Sequence, residues 1–221
     1  MPIYFYINML KYDLHMHTCY SKCSNLRPEA LLKTAKERGL NGIAVTDHHT
    51  IEGALKIKKL NKDRNFEVIV GEEINTEYGD VLAYYLQKPI KAADFFGVVD
   101  EVKKQNGLIV IPHPFRTSIN QYYKFKMPFE EIKNKIDAIE CFNARMLPGD
   151  NNKADKIADR LNIAKTGGSD THFKFEVATA YTIFNGNLRK ALKDKATKAD
   201  GTIKYGSFGG LLSFLRKRIV G

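Results

Sequence analysis

Short apolar runs alternate with stretches of helical period along most of this chain. "GIAVT" (42–46), "EVIVG" (67–71), "LIVIP" (108–112), "DAIEC" (137–141) and "NIAKT" (162–166) are rich in Val and Ile and read as buried strands. Between them, Phe95, Val98, Val99 and Val102 form one helical stripe closed by Gly107. Ala154, Ile157, Ala158 and Leu161 form a second stripe, with Asp150 as its expected N-cap. Pro28 belongs in the first turn of a helix running to about Arg38 and stopped by Gly39. With Lys11–Leu14 and Ala180–Phe184 the strand candidates number roughly seven.

Such alternation implies a mostly parallel α/β sheet, open or closed. No glycine-rich phosphate loop follows the first strand, so a TIM-like (β/α) barrel in a single domain is the preferred reading. Residues 1–8 read as an N-terminal extension or an extra edge strand, and 9–221 as the barrel domain. The opening decapeptide has no basic start and no small-residue cleavage site, and no apolar run approaches the roughly 20 residues that span a bilayer. The tail "GLLSFLRKRIVG" reads as a last helix packed on the barrel rather than as a membrane anchor. Cys19, Cys23 and Cys141 make no even framework and no CxxC pair, which fits a reducing, cytoplasmic setting.

The formal charge of +10 favours anionic partners, although the lysines are scattered rather than massed. More telling is where the six histidines fall. His15 and His17 follow the first strand, His48 and His49 the second, His113 follows "LIVIP" and His172 follows "KTGGSD". Glu73 obeys the same rule, and Glu140 ends "DAIEC". Residues just past the carboxyl ends of barrel strands converge on one face. Imidazoles and carboxylates gathered there, without a thiolate set, suit divalent Mn, Zn or Fe ions.

In this order, "DLHMHT", "AVTDHHT", "VGEEINT", "GDVLAYYL", "IPHPFR", "IECFNAR" and "GGSDTH" resemble the PHP family, the polymerase and histidinol phosphatase metal-dependent phosphoesterases. The likeness runs from about Lys11 to Phe184 and implies a distorted seven-stranded β/α barrel holding two or three divalent ions. It makes His15, His17 and Asp170 ligands of a first metal, with Glu73 bridging to a second held by His113. His48 and His172 would hold a third. Asp80 stands where the family places a second-metal histidine, and Lys22 where it places a third-site aspartate. A protonated lysine cannot coordinate a cation, so this site is weakened, or its ammonium occupies part of it. Asp47 is expected to orient His48 through the imidazole's second nitrogen, His49 to play an outer or surface role, and Glu140 to form the site floor. Arg116 and Arg145 are placed to fork onto phosphate oxygens.

The chemistry so implied is attack of metal-activated hydroxide on a phosphoester. A small phosphomonoester, such as a nucleotide, is the first expectation for the substrate. The alternatives are a phosphodiesterase or exonuclease acting on RNA or DNA ends, and a catalytically silent metal-binding module.

Overall fold

The computed structural model describes residues 9–117 and 124–220. The proposed extension, residues 1–8, lies outside them. In chain order the elements are β1 (Met9–Met16), α1 (Pro28–Glu37), β2 (Gly42–Val45), α2 (Glu52–Leu60), β3 (Glu67–Thr76), β4 (Gly79–Tyr84), α3 (Phe95–Lys104), β5 (Leu108–Ile111), α4 (Phe129–Ile132), β6 (Ala138–Asn143), α5 (Pro148–Leu161), β7 (Ala164–Gly168), β8 (Ala180–Asn185), α6 (Leu188–Lys193), β9 (Lys198–Gly201) and α7 (Gly206–Val220).

The strands form one sheet in the order β7-β6-β5-β4-β3-β2-β1-β8-β9. Two expectations are corrected. Nine strands are described rather than seven, and the sheet is mixed rather than mostly parallel. Antiparallel pairs join β3 to β4, β4 to β5, β1 to β8 and β8 to β9, and the other neighbours are parallel. The sheet curls until it nearly closes. Past the end of β7, Asp170 N donates to His15 O at 2.8 Å, and His17 N donates to Thr171 O at 2.9 Å. Strands β8 and β9 continue beyond β1 and cover β7, where Gly167 N donates to Thr182 Oγ1 at 2.8 Å. A side chain on Gly167 would strike the Tyr181 carbonyl and Ala199.

Period-two alternation sorts the strand residues into two apolar layers. Leu14, Ala44, Ile69, Leu82, Val110 and Ala138 meet in one cluster that fills the barrel. Their neighbours Ile43, Val45, Val68, Val81, Ile109 and Ile139 pack outward under the stripes of α1, α2 and α3. The helices start and stop close to where the pattern places them, with Pro28 in the first turn of α1 and Gly39 at φ +74° just beyond it. Helix α5 starts earlier than expected. Its N-cap is Leu147, with Pro148 at the first position, and Asp150 lies in the first turn, accepting from Thr117 N at 2.9 Å. None of the helices among the described residues is long and apolar enough to cross a membrane. Cys23 and Cys141 are buried and Cys19 is exposed, and none of the three is in a disulfide.

Candidate metal centre

The histidines and carboxylates picked out by their positions after strands meet at one end of the barrel. Two features of the chain bring this about. Parallel strands β1, β2, β5 and β7 all deliver their carboxyl ends to the same face. Strand β4 runs the other way, so its first residues arrive there instead, with Asp80 opposite Asn75 of β3.

Glu73 sits at the centre. Its Oε2 lies 3.5 Å from His15 Nε2, 3.2 Å from His17 Nε2 and 3.2 Å from His48 Nδ1. Its Oε1 lies 3.1 Å from His113 Nε2. Glu72 takes the other face of β3, as alternation requires, and accepts from Ile90 N at 2.9 Å. Asp170 turns Oδ1 toward His17 Nε2 at 3.6 Å and Oδ2 toward Arg116 Nη2 at 3.2 Å. Asp80 lies beside His113, with Oδ2 3.8 Å from Nε2. Three sets of donor atoms each fall within 4.8 Å of one another: His15, Glu73 and His113; His15, His17 and Asp170; His17, His48 and His172.

This donor set fits divalent cations. The Nε2 atoms of His15 and His17 face each other at 3.2 Å while both approach Glu73, and all three residues are buried. Lone pairs so crowded hold together only if positive charge lies among them, as protons or as metal ions. Without metal, protonation of His15 and His17 is favoured. Burial alone would lower the pKa of His15, but Glu140, Asp170 and Glu73 raise it well above the ordinary imidazole range. His17 is raised too, where Asp170 and Glu73 outweigh burial. Burial would raise Glu73, yet His48 and His15 hold it well below the usual carboxylate range, and His15 with Arg116 does the same for Asp170. His172 moves the other way, pushed down by burial, Arg145 and His17.

A second layer fixes these groups. Glu140 Oε1 pairs with His15 Nδ1 at 3.0 Å, and its Oε2 accepts from His113 N at 2.8 Å and Asn143 Nδ2 at 2.9 Å. One floor carboxylate therefore positions ligands from two strands, as outer carboxylates do in metal sites. Asp13 Oδ1 accepts from Ser169 N at 2.9 Å, tying β1 to the Asp170 loop. His113 and Asp170 hold φ at +30° and +54°, a backbone region that non-glycine residues enter only when their surroundings enforce it.

Several sequence expectations change in detail. The carboxylate of Asp47 is engaged by the loop after β1, accepting from Thr18 N at 2.7 Å, Thr18 Oγ1 at 2.6 Å and Ser21 Oγ at 2.6 Å. Ser21 Oγ in turn accepts from His48 N at 3.0 Å, so Asp47 reaches His48 through the backbone rather than the imidazole. Lys22 is exposed and does not line the cavity over the ligands, whereas the buried Cys23 next to it does. Arg145 lines the same cavity, but two of its nitrogens form a fork on Glu176 at 2.8 and 2.7 Å and a third donates to Ser213 Oγ at 3.1 Å. His49 is exposed, as expected of a surface role, and pairs through Nε2 with Asn75 Oδ1 at 3.0 Å; Asn75 also donates to Asp80.

Reading along the chain missed Glu176, which Arg145 grips, and it missed α7 as a wall of the site. The small residues of "GSFGGLLS" carry that signal. Gly206 lies against Ala144 O and Gly209 against Glu176, and a side chain at either would collide. Arg216 Nε donates to Ser24 O at 3.1 Å, fastening the far end of α7. The cavity between α7 and the ligands measures about 260 Å³. A larger groove of about 850 Å³, between α5 and β9, contains none of the three donor sets.

Comparison with known proteins bears on the fold and the family. Two uncharacterized proteins of Methanocaldococcus jannaschii are similar to the chain. One is 36% identical over 61% of this chain and 82% of its own length, the other 35% identical over 80% and 71%. Among solved structures, a two-domain protein from Bacteroides vulgatus, described as containing a predicted PHP-like metal-dependent phosphoesterase, superposes with a TM-score of 0.74 at 20% identity. That match covers 88% of this chain and 65% of the other. Endonuclease Q, solved with a duplex carrying an abasic lesion, superposes at 0.60 with 16% identity over 84% of this chain and 57% of its own. Residues 148–199 match the PHP-associated segment, residues 13–161 match the PHP domain, and the chain belongs to the PHP domain family.

Proposed function

We propose that the chain is a metal-dependent hydrolase of small phosphomonoesters, nucleotides or esters of similar size. The observation that carries this reading is Glu73, whose two oxygens divide between His113 on one side and His15, His17 and His48 on the other. A carboxylate so placed can bridge two ions. His15, His17 and Asp170 would hold one, His113 and Asp80 a second, and His48 with His172 a third. When bound, divalent ions such as Mn, Zn or Fe supply a water activated at neutral pH and offset negative charge on the phosphoryl oxygens.

The chain's own groups do the rest. Arg116 reaches the site edge in contact with Asp170 Oδ2 and is set to take a phosphate oxygen. Arg145, gripped by Glu176, contributes a fixed positive charge to the cavity wall. Asp47 keeps the Thr18–Ser21 loop in place behind His48. The small volume of the cavity supports a compact substrate.

A second reading, a phosphodiesterase or exonuclease acting on nucleic-acid ends, is favoured by the charge of +10 and by the likeness to a DNA-lesion endonuclease. The deciding assay compares phosphate release from mononucleotides with shortening of end-labelled oligonucleotides, both with added Mn²⁺. Mononucleotide turnover is expected. Shortened oligonucleotides beside intact mononucleotides would transfer the assignment to the second reading. Bound metal with no turnover of any ester would leave a silent metal-binding module.

A further inference from the structure

The wall of the cavity opposite the metal ligands has a different chemistry. There α7 contributes Gly210, Ser213 and Phe214, and the loop after β1 contributes the buried thiol of Cys23. The hydroxyl of Ser213 already accepts from Arg145. Neither carboxylate nor amide from α7 faces the cavity, so this wall is poorly suited to the hydroxyls of a sugar or polyol phosphate.

It is well suited to a flat aromatic group. Phe214 lines the cavity while remaining 52% exposed, a position in which a ring is half wetted and half available for contact. One turn earlier, Gly210 also lines the cavity, and a side chain there would meet nothing within 4 Å. A ring and a gap at i and i−4 on one helix face make a slot beside the ligands. The guanidinium of Arg218, one turn further on, lies over the Phe214 ring at 4.5 Å from its centroid. It steadies the ring and places a cation next to the slot.

We infer that α7 selects phosphoesters carrying a nucleobase, which stacks on Phe214 in the gap left by Gly210 while the phosphate faces the metal ligands. This rests on the phosphoesterase reading and narrows it. Phe214 and Gly210 are specificity-determining residues, and α7 is the element that reads the substrate. The nucleotide unit has two sources, a free mononucleotide or the terminal residue of a strand, and both present a base and a phosphate together.

The test uses the full Mn²⁺-loaded chain with AMP, ribose 5-phosphate and a 5′-phosphorylated tetranucleotide. It compares the parent with Phe214→Ala, Phe214→Tyr and Gly210→Leu. The parent is expected to prefer a nucleotide over ribose 5-phosphate in kcat/KM, and Phe214→Ala to cut that preference roughly tenfold, chiefly through KM. Phe214→Tyr should retain it. Gly210→Leu, which fills the gap without a clash, should lose it while the helix signal by circular dichroism is kept. Preference for the mononucleotide or for the tetranucleotide tells which source is used, and either supports the slot. Calorimetric titration of the metal-stripped protein with AMP and ribose 5-phosphate gives a readout apart from turnover, and AMP should bind more tightly. Equal use of AMP and ribose 5-phosphate by the parent, or equal loss on both in Phe214→Ala, would overturn the inference. If no ester is hydrolysed yet AMP still outbinds ribose 5-phosphate in a Phe214-dependent way, the phosphoesterase reading fails and the stacking slot stands.

Discussion

Glu140 shows how much one buried carboxylate can decide. Its two oxygens hold the His15 ring and the His113 backbone, residues that start 98 positions apart and end as neighbours. Glu140→Gln keeps the size but sets an amide N–H against an N–H donor. Metal affinity is expected to fall by about 10- to 100-fold, read by metal titration, with the circular dichroism spectrum preserved. A variant that binds metal as tightly as the parent would remove Glu140 from the site. The raised values of His15 and His17 give a second expectation with a definite sign. The raised values favour protonated imidazoles in the metal-free protein, and such protons must leave before Nε2 can take a cation. Lowering the pH from about 8 to about 6 should therefore weaken Zn²⁺ uptake by up to roughly tenfold per unit for each proton displaced. A pH-independent affinity over that interval would show that the histidines are neutral beforehand. Apart from Asp80, the candidate ligands were legible in the sequence, because each lies at or just past the end of an apolar strand run. The link from Arg145 to Glu176 was not, because a fork between residues 31 apart has no local signature.

At the level of elements, the strands that were overlooked show what a pattern can carry. Strand β4 is buried along its whole length, so "GDVLAY" offers no alternation to set it apart from a short apolar segment. Strand β9, "KADG", is a polar edge strand with no apolar residue beyond one alanine. Without them the sheet reads as parallel, whereas β4 reverses direction and so brings Asp80 to the ligand face. The turn from β7 to the Asp170 loop depends on "GGSD" for a physical reason that the sequence displays but does not explain. A side chain on Gly168 would meet His15 Cβ at 2.4 Å and Glu140 Oε1 at 2.7 Å. Gly168→Ala should therefore displace β1 from β7, costing about 1–3 kcal/mol of stability. Its melting temperature is expected to fall by roughly 2–4 °C for each kcal/mol, with metal content dropping further than stability does. Unchanged metal content by elemental analysis would mean that β1 and β7 yield here without moving the ligands. The same crowding recurs at Gly53, where a side chain would meet Asp47 Oδ2 and Thr18 Oγ1.

For the molecule as a whole, the open question is what the surplus of ten positive charges does. Of the 35 lysines and arginines some are paired locally, as where Lys36 meets Asp63, Lys165 meets Asp155 and Asp159, and Lys190 meets Asp194. Along the chain the lysines are scattered rather than massed. The metal cavity, by contrast, gathers Arg116 and Arg145 in one place beside the ligands. A dispersed surplus attracts anions at long range without defining a track, and salt screens it over about 10 Å at 0.1 M. A strand of nucleic acid bound along a track would release counterions at every phosphate contacted, giving a slope of about −0.7 per contact in log affinity against log salt. A compact ester held mainly by the cavity engages one phosphate. The logarithm of kcat/KM for a mononucleotide should therefore fall with log salt at a slope no steeper than about −1. The measurement is kinetic, across a range of NaCl concentrations at fixed metal. A slope several times steeper on oligonucleotides, accompanied by faster turnover than on mononucleotides, would show that the dispersed cations act together as a nucleic-acid track, and the cavity would then be the end of that track rather than the whole binding site.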